Sequence, residues 1–220
     1  MLSRKVPVIK EDKLRVIGSA ITTIKARGVT FDITSGHHRQ FLDDWLHLIL
    51  KPELIHFFQR PLHELYELVA VHTATNWVTR IHQFSFAKRI AESHRDALAT
   101  YLPALNRHTS GADFVAAVWN EMGGDGLPIS QSGIERELSR WVQYMVWICQ
   151  FRCLFVTHNG MMGLGPSTLQ ENDKLVEIRG CDSLMIIRQI GDFWVLVGQG
   201  YVRDLPSPQD EEKFETFDLI

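Results

Sequence analysis

Apolar and polar residues follow different periods along the chain, and the changes of period divide it into three parts. Near the amino end, "KLRVIGSAITTIKARGVTFDI" is rich in β-branched residues and is interrupted by Gly18 and Gly28, which predicts two or three short strands over 14–33. Over 35–150 the apolar residues recur at helical spacing. Over 151–203 the segments "RCLFVT", "KLVEIRG", "SLMIIRQI" and "FWVLVG" have the pattern of short strands.

Start and stop signals place several helices in the middle part. A Thr34-Ser35 pair that can cap a helix precedes the first, which runs to the break at Pro52. Pro61 suits the first turn of the next helix, and Ser110 can cap "SGADFVAAVWNEM". The run "SGIERELSRWVQYMVWICQ" is polar at its start and apolar toward its end, which predicts a helix with a buried carboxy-terminal end.

The fold class follows from how these parts must bury their apolar faces. The strands of 151–203 are apolar on both faces, and neither they nor those of 14–33 are numerous enough to bury two faces alone. The sequence therefore predicts an α+β fold in which a helical layer packs on a small β-barrel-like sheet formed by the C-terminal strands plus the N-terminal strands. This makes a single discontinuous domain over 1–205, followed by a loosely held acidic tail, 206–220.

The predicted strand register places six large apolar side chains in one buried cluster. They are Trp147, Phe155, Leu164, Ile187, Trp194 and Leu196.

Composition and charge restrict the classes of partner and the cellular compartment that we predict. The 220 residues are 45% hydrophobic and carry a formal net charge of -3, so no broad positive surface is available for nucleic acid. Three cysteines without a CxxC pair or a secretory leader suit a reducing, cytoplasmic compartment. The longest apolar runs fall short of the roughly 20 residues that span a bilayer, which predicts no membrane span.

The glycine-rich stretch "NGMMGLGPSTL" is the first candidate for chemistry. Its glycines are spaced G-x-x-G-x-G, and no Lys follows, so it matches neither a dinucleotide-binding loop nor a P-loop. A backbone nest for an anion is one interpretation. The favoured one is a hairpin turn at Asn159-Gly160 followed by a bent strand, in which Leu164 points inward and Pro166 ends the pairing.

The remaining reactive residue types form no catalytic or metal-binding pattern. The ten histidines lack the close pairs and nearby cysteines of a zinc site, and no G-x-S-x-G elbow is present. Cys149 and Cys153 lie in apolar surroundings, which predicts buried, inert thiols. We therefore predict no catalytic residue, no metal site and no cofactor.

The carboxy-terminal part resembles the terminal block of fungal heterokaryon-incompatibility (HET) domain proteins. That block runs Arg-x-x-Phe-x-Thr-x-x-Gly-x-x-Gly-Leu-Gly-Pro, then a turn with Asp, a Gly-containing hairpin, an Arg, and an aromatic residue before Leu-Val-Gly and Tyr-Val. The matching positions are Arg152, Phe155, Thr157, Gly160, Gly163, Leu164, Gly165, Pro166, Asp173, Gly180, Arg188, Trp194, Leu196, Val197, Gly198, Tyr201 and Val202. The segments "KLRVIG" and "ARGVTFDI" extend the resemblance to Leu14.

Two residues depart from the family pattern, and two motifs of the family are missing. Asn172 stands where the family usually has Gly, and Gln199 stands where Glu is common. Runs resembling "YxALSYxWG" and "WIDxxCINQ", which mark the amino-terminal HET domain, do not occur in this sequence. The resemblance therefore implies the carboxy-terminal region of such a protein, without the domain that triggers cell death after fungal cell fusion.

Two functional hypotheses of different classes follow. The first is a non-enzymatic recognition or regulatory module of heterokaryon-incompatibility type that presents a surface to a partner protein. The second is a small-molecule-binding protein or enzyme with a pocket between the helices and the β-unit, lined by Trp77, Trp119 or Trp147.

Overall fold

The computed structural model describes most of the two ends of the chain and parts of its middle. The described residues are 8–10, 13–32, 34, 41–69, 87, 91, 98, 110–121, 148–202 and 214–220. The chain divides into two compact units, one formed by 1–32 with 151–220 and the other by 33–150. They are called the β-unit and the helical unit below.

The described part of the helical unit contains four short helices. They are α1 (Phe41–Ile49), α2 (Pro52–Ile55), α3 (Pro61–Val69) and α4 (Gly111–Glu121). Pro61 occupies the first position of α3, as predicted, where its missing N–H breaks no helical hydrogen bond. The Ser110 hydroxyl accepts a hydrogen bond from the Asp113 N–H at 3.2 Å, so the predicted cap of α4 is confirmed. The helix predicted from "SGIERELSRWVQYMVWICQ" lies outside the described residues except for 148–150.

The β-unit contains eight strands. They are β1 (Val8–Lys10), β2 (Lys13–Thr30), β3 (Arg152–Thr157), β4 (Met162–Pro166), β5 (Lys174–Ile178), β6 (Leu184–Ile190), β7 (Phe193–Val202) and β8 (Glu215–Leu219). Along the main path they pair in the order β1-β2-β3-β4-β7-β6-β5, and β5 also pairs with β2. The path from β2 to β5 therefore returns to its first strand. All pairings are antiparallel except that of β7 with β8.

The predicted fold class is wrong. The described residues are mostly antiparallel sheet with short helices, and they do not show a helical layer packed on a barrel. The sequence analysis divided 14–33 into several short strands because it treated glycines as breaks. Instead, β2 is one strand of 18 residues that passes through Gly18 and pairs with four other strands, β1, β8, β5 and β3.

The prediction that the amino-terminal strands share a sheet with the carboxy-terminal strands is confirmed. The prediction of a loosely held tail is not. β2 pairs with β3 and β5, so the amino-terminal strand lies in the same sheet as the carboxy-terminal strands. Residues Glu215–Leu219 of the predicted tail form β8, which pairs with the first half of β2 from Leu14 to Gly18. Alternate apolar residues Phe217 and Leu219 are buried, and their burial ties this segment down despite its acidic composition.

Two apolar clusters fill the β-unit, and the β5–β6 pair contributes to both. The first cluster contains Ile24, Cys153, Phe155, Leu169, Leu175, Leu184, Ile186 and Val202. The second contains Val16, Val176, Ile187, Phe217 and Leu219. Because successive side chains of a strand point to opposite faces, β5 and β6 form a wall with one cluster on each side. This double burial explains why these strands are apolar at consecutive positions.

The single buried cluster predicted from the sequence is wrong. Phe155 lies in the first cluster and Ile187 in the second, with Trp194 packed against the second at partial exposure. Leu196 is 47% exposed. Leu196 pairs with Ile187 and therefore lies on the face of the second cluster, but β8, which supplies Phe217 and Leu219 to that cluster, pairs with β7 only at Trp194. Leu164 is buried outside both clusters, and Trp147 lies outside the described residues.

Candidate functional site

The glycine-rich stretch is a strand with a neighbour on each side. In β4, Met162 to Pro166 pair with Val156 to Arg152 of β3, and Gly163 and Leu164 pair with Val202 and Tyr201 of β7. Leu164 is buried, and Pro166 is the last strand residue. The predicted strand and the end of pairing at Pro166 are therefore confirmed. The inward direction predicted for Leu164 is wrong, because a Cβ at Gly165 would meet Ile186 and Leu169 of the first cluster, so Leu164 faces the opposite side. Pairing with two strands occupies the backbone that an anion nest would need.

Gly163 is required by the close approach of its neighbours. A Cβ atom there would lie 2.3 Å from the Phe155 ring and 2.5 Å from the carbonyl oxygen of Tyr201. No real side chain fits at these distances, and the second obstacle is backbone, which cannot rotate away. Gly165 is less constrained, because a Cβ there would meet only side-chain atoms, the nearest at 3.1 Å. The glycines therefore serve packing.

Thr157, Asn159 and Gly160 build the turn between β3 and β4. The Thr157 hydroxyl accepts a hydrogen bond from the Met161 N–H at 2.9 Å and donates one to the Asn159 side chain at 2.6 Å. Gly160 has a φ of 85°, a conformation that side chains disfavour. The hairpin predicted at Asn159-Gly160 is thus confirmed, and two residues of the resemblance, Thr157 and Gly160, hold its turn.

Asp173 and Arg188 form the most buried charged pair described in the β-unit. The guanidinium makes a bidentate contact with the carboxylate, with Nε to Oδ1 at 2.7 Å and Nη2 to Oδ2 at 2.9 Å. The Gln170 N–H donates to the same carboxylate at 2.8 Å, and Asp173 is only 2% exposed. A carboxylate so enclosed and hydrogen-bonded serves structure rather than proton transfer to a ligand.

Two arginines fix the loop 167–173 that connects β4 to β5. Arg188 donates to the Thr168 carbonyl at 2.7 Å, and Arg27 donates to the carbonyls of Ser167 and Leu169. Leu169 is fully buried in the first cluster, so the loop covers that cluster at one end. Sequence analysis did not single out Arg27, which is 140 and 142 residues from its two partners and has no local signal.

Asn172 adopts a left-handed backbone conformation at the end of the loop 167–173. Its φ is 70°, in the left-handed region where Gly is favoured and Asn is the commonest substitute. Its N–H donates to the Ile24 carbonyl at 2.9 Å, and the Ile24 N–H donates to the Asp173 carbonyl at 2.8 Å. Asn is therefore compatible with the left-handed turn at this position.

The thiol of Cys153 is shielded from reaction. Cys149 and Cys153 are both fully buried, as predicted, and the Cys153 thiol donates to the Pro166 carbonyl at 3.4 Å. Burial raises the pKa of Cys153 from 9.0 to about 11, with the nearby Arg27 charge opposing the shift. The thiol is therefore protonated, and weakly nucleophilic, at neutral pH.

Two exposed side chains among the residues of the resemblance, Leu196 and Tyr201, lie on β7. We call the face of β7 that carries Leu196, Gln199 and Tyr201 the outward side. Leu196 is 47% and Tyr201 is 48% exposed. Gly200 would direct a Cβ against Leu175 and Ile186 of the first cluster, which places Gln199 and Tyr201 on the opposite face. Leu196 lies on that face as well, because it pairs with Ile187 of the second cluster. Exposed apolar side chains that form a contiguous patch mark interaction sites, and aromatic residues such as tyrosine are enriched there.

The other residues of the resemblance hold strands together. Arg152 pairs with Pro166 across β3 and β4, and Gly198 lies against the Pro166 ring. Trp194 packs edge-on against Phe217 at 5.5 Å between ring centroids, with the Lys174 ammonium 4.6 Å above its ring. Their roles could not be derived from spacing, because each contact joins distant segments.

Searches for metal sites, membrane spans and relatives give no assignment. Among the described residues, no group of three or more His, Cys, Asp or Glu side chains is placed to hold a metal ion. Within the same residues, no helix is long and apolar enough to cross a bilayer. Comparisons with models of protein families, with curated proteins and with solved structures find no match to this chain.

The hypothesis of a ligand pocket stays a prediction. Trp77 and Trp147 lie outside the described residues, and Trp119 is almost fully buried. A thermal-shift screen against nucleotides and metal ions tests this hypothesis, because a ligand that binds only the folded chain raises the unfolding midpoint.

Proposed function

We propose that this chain is a non-enzymatic recognition module of heterokaryon-incompatibility type, and that it binds a partner protein through the outward side of β7. Its biological role would be the one that the resemblance implies, the regulation of non-self recognition after fungal cell fusion. The observation that carries the proposal is the exposure of Leu196 and Tyr201 on a strand fixed by β6, β4 and β8.

The contacts of the other residues of the resemblance support the proposal, because those residues maintain the fold. Gly163, Thr157 and the Asp173–Arg188 pair are engaged in turns, close packing and buried hydrogen bonds, so they are not free to contact a partner. Leu196 and Tyr201 combine apolar area with a rigid backbone. A surface of this kind loses little conformational entropy on binding, which favours specific association.

Site-specific cross-linking tests the proposal. A photoreactive phenylalanine analogue replaces Leu196, Tyr201 or Ile190 in otherwise identical chains, which are irradiated in an extract of the source organism. Ile190 is the matched control, because it is 54% exposed and apolar but lies at the tip of the β6–β7 hairpin. We expect one protein to be cross-linked from positions 196 and 201 and not from 190.

Two results would contradict the proposal. One is the same set of cross-linked proteins from all three positions, which indicates non-specific contact. The other is the absence of a cross-linked protein from both positions of the outward side in chains whose unfolding midpoints match that of the parent.

A further inference from the structure

Ser19 of β2 and Glu177 of β5 carry polar groups that have no partner among the described residues. The two residues pair across the strands, so their side chains lie side by side on one face of the sheet. Ser19 is 1% exposed, and its hydroxyl makes no hydrogen bond. The Glu177 carboxylate takes part in no hydrogen bond or ion pair within the described part of the chain. A buried hydroxyl normally has a hydrogen-bond partner, so Ser19 is suited to one from outside the chain.

Both side chains lie on the face of the first apolar cluster. A Cβ at Gly18 would be directed at the second cluster, and Ala20 packs against that cluster, so Ser19 between them points to the opposite face. Leu184, which pairs with Glu177 from the other edge of β5, belongs to the first cluster. The hydroxyl and the carboxylate therefore border the first cluster together.

A cation without a carboxylate lies on the same face. The Arg179 guanidinium is 5.0 Å from the centroid of the Phe214 ring, and it forms no ion pair with any residue that the structure describes. Gly18 pairs with β5 on one edge and with β8 on the other, so this contact crosses β2 beside Ser19. Ile178 packs against the second cluster, which places Arg179, the next residue, on the face of Ser19.

The two charges suit a ligand that carries both signs. Glu177 and Arg179 are two residues apart, about 7 Å along the chain, and the guanidinium is directed to the Phe214 ring rather than to the carboxylate. Arg179 would repel a simple cation, and Glu177 would repel a simple anion. A zwitterion pairs with both side chains and supplies a hydrogen bond to the Ser19 hydroxyl.

We propose that this face of β2 and β5 binds a free α-amino acid with an apolar side chain. The ammonium group donates to the Glu177 carboxylate and to the Ser19 hydroxyl oxygen, and the carboxylate of the ligand accepts from the Arg179 guanidinium. The apolar side chain lies against the half-buried Ile17 and the Phe214 ring. The inference is independent of the proposed function, because it uses no residue of the outward side of β7.

Isothermal titration calorimetry on the full chain tests the inference, with L-leucine as the probe. Two matched compounds each lack one charge of leucine: isoamylamine has no carboxylate, and isocaproate has no ammonium group. We expect leucine to bind at least about tenfold more tightly than either compound, because only the zwitterion pairs with both charged side chains. Bound leucine should also raise the unfolding midpoint of the chain.

Single substitutions assign the binding to these residues. Glu177→Gln and Arg179→Met should each weaken leucine binding about tenfold, and Ser19→Ala should weaken it several-fold. Ser19→Ala removes a buried hydroxyl that has no partner in the chain, so the unfolding midpoint without leucine should not fall. Glu215→Gln is the matched control and should leave the affinity unchanged, because Glu215 lies on the same face of β8 as Phe217 of the second cluster.

Three results would overturn the inference. The first is the absence of both a heat of binding and a rise in the unfolding midpoint with leucine, which would leave a water molecule as the partner of Ser19. The second is binding of isoamylamine or isocaproate that is as tight as that of leucine. The third is leucine binding that Glu177→Gln and Arg179→Met leave unchanged. Should either variant fail to fold, the comparison of the three compounds on the parent chain decides the question.

Discussion

The strands β4 and β7 are neighbours with similar composition and opposite uses. Both contain glycines among large apolar residues, and both belong to the resemblance to heterokaryon-incompatibility proteins. In β4 the backbone is paired on both sides and Leu164 is buried, whereas in β7 the directly opposite residue, Tyr201, is 48% exposed. A shared motif can therefore contain both the residues that maintain the fold and the residues that remain available to a partner.

The partners of each strand explain the difference. β4 lies between β3 and β7, and Gly163 accommodates the Phe155 ring, so every position of β4 is constrained by packing. β7 pairs with β6 along its length, but with β4 and β8 only at its ends. Substitutions in β4 should therefore affect stability, and substitutions on the outward side of β7 should affect binding.

The largest expected effect is that of Gly163→Val. The added side chain would collide with the Phe155 ring and with the Tyr201 carbonyl, 2.3 and 2.5 Å from the new Cβ, so the sheet must separate locally. We expect the free energy of unfolding to fall by more than about 3 kcal/mol, measured by urea denaturation. Gly165→Val is the matched control and should cost less, about 1 to 3 kcal/mol, because flexible side-chain ends surround it. Equal losses at the two positions would contradict this account of β4.

The next effect is that of Arg188→Met, which leaves the Asp173 carboxylate buried without its guanidinium. Since Arg188 remains partly exposed and the Gln170 N–H still contacts the carboxylate, we expect a loss of about 2 to 4 kcal/mol in thermal or urea unfolding. Arg15→Met, which breaks the exposed contact with Asp218, should leave the unfolding midpoint nearly unchanged. A midpoint for Arg188→Met equal to that of the parent would show that the loop 167–173 is held by its apolar contacts alone.

Alkaline pH should destabilise the β3–β4 region, because it deprotonates the thiol of Cys153. Burial raises the pKa of this thiol from 9.0 to about 11, so the folded chain retains a proton that the unfolded chain loses. The stabilisation is complete below pH 9 and disappears as pH rises through 11, a loss of about 2 to 3 kcal/mol. Cys153→Ala should lower stability at pH 7 because it leaves a cavity, but should flatten the decline between pH 9 and 11. An unchanged decline would assign it to other groups, such as the buried Tyr66, whose pKa is also raised.

The smallest effects on stability are expected for substitutions on the outward side of β7. Leu196→Ser and Tyr201→Ser should each change the free energy of unfolding by less than about 0.5 kcal/mol, because both side chains are half-exposed. Leu164→Ser is the matched control, since Leu164 pairs with Tyr201 but is buried, and should cost about 3 kcal/mol or more. A large loss of stability at Leu196 or Tyr201 would mean that the outward side of β7 maintains the fold.

Local signals in the sequence predicted the hairpins and most of the strands. "RCLFVT" coincides with β3, and the turns at Asn159-Gly160 and Gly191-Asp192 connect consecutive strands as predicted. Such turns depend on a few adjacent residues, and only glycine readily supplies the positive φ found at Gly160 and Gly191. The candidate site was predicted less well, because Leu196 was assigned to the core and Arg27 was not noticed.

The sequence by itself determined the short-range features of this protein: the position of β3, the turns at Asn159-Gly160 and Gly191-Asp192, and the apolar segments that form β5 and β6. The tertiary structure alone decided that β2 continues through Gly18, that Glu215–Leu219 joins the sheet, and that Leu196 stays exposed although its partner Ile187 is buried. The physical reason is that these outcomes depend on pairing between segments far apart in sequence. A strand's partners determine which face is buried, and a shift of one residue reverses that choice.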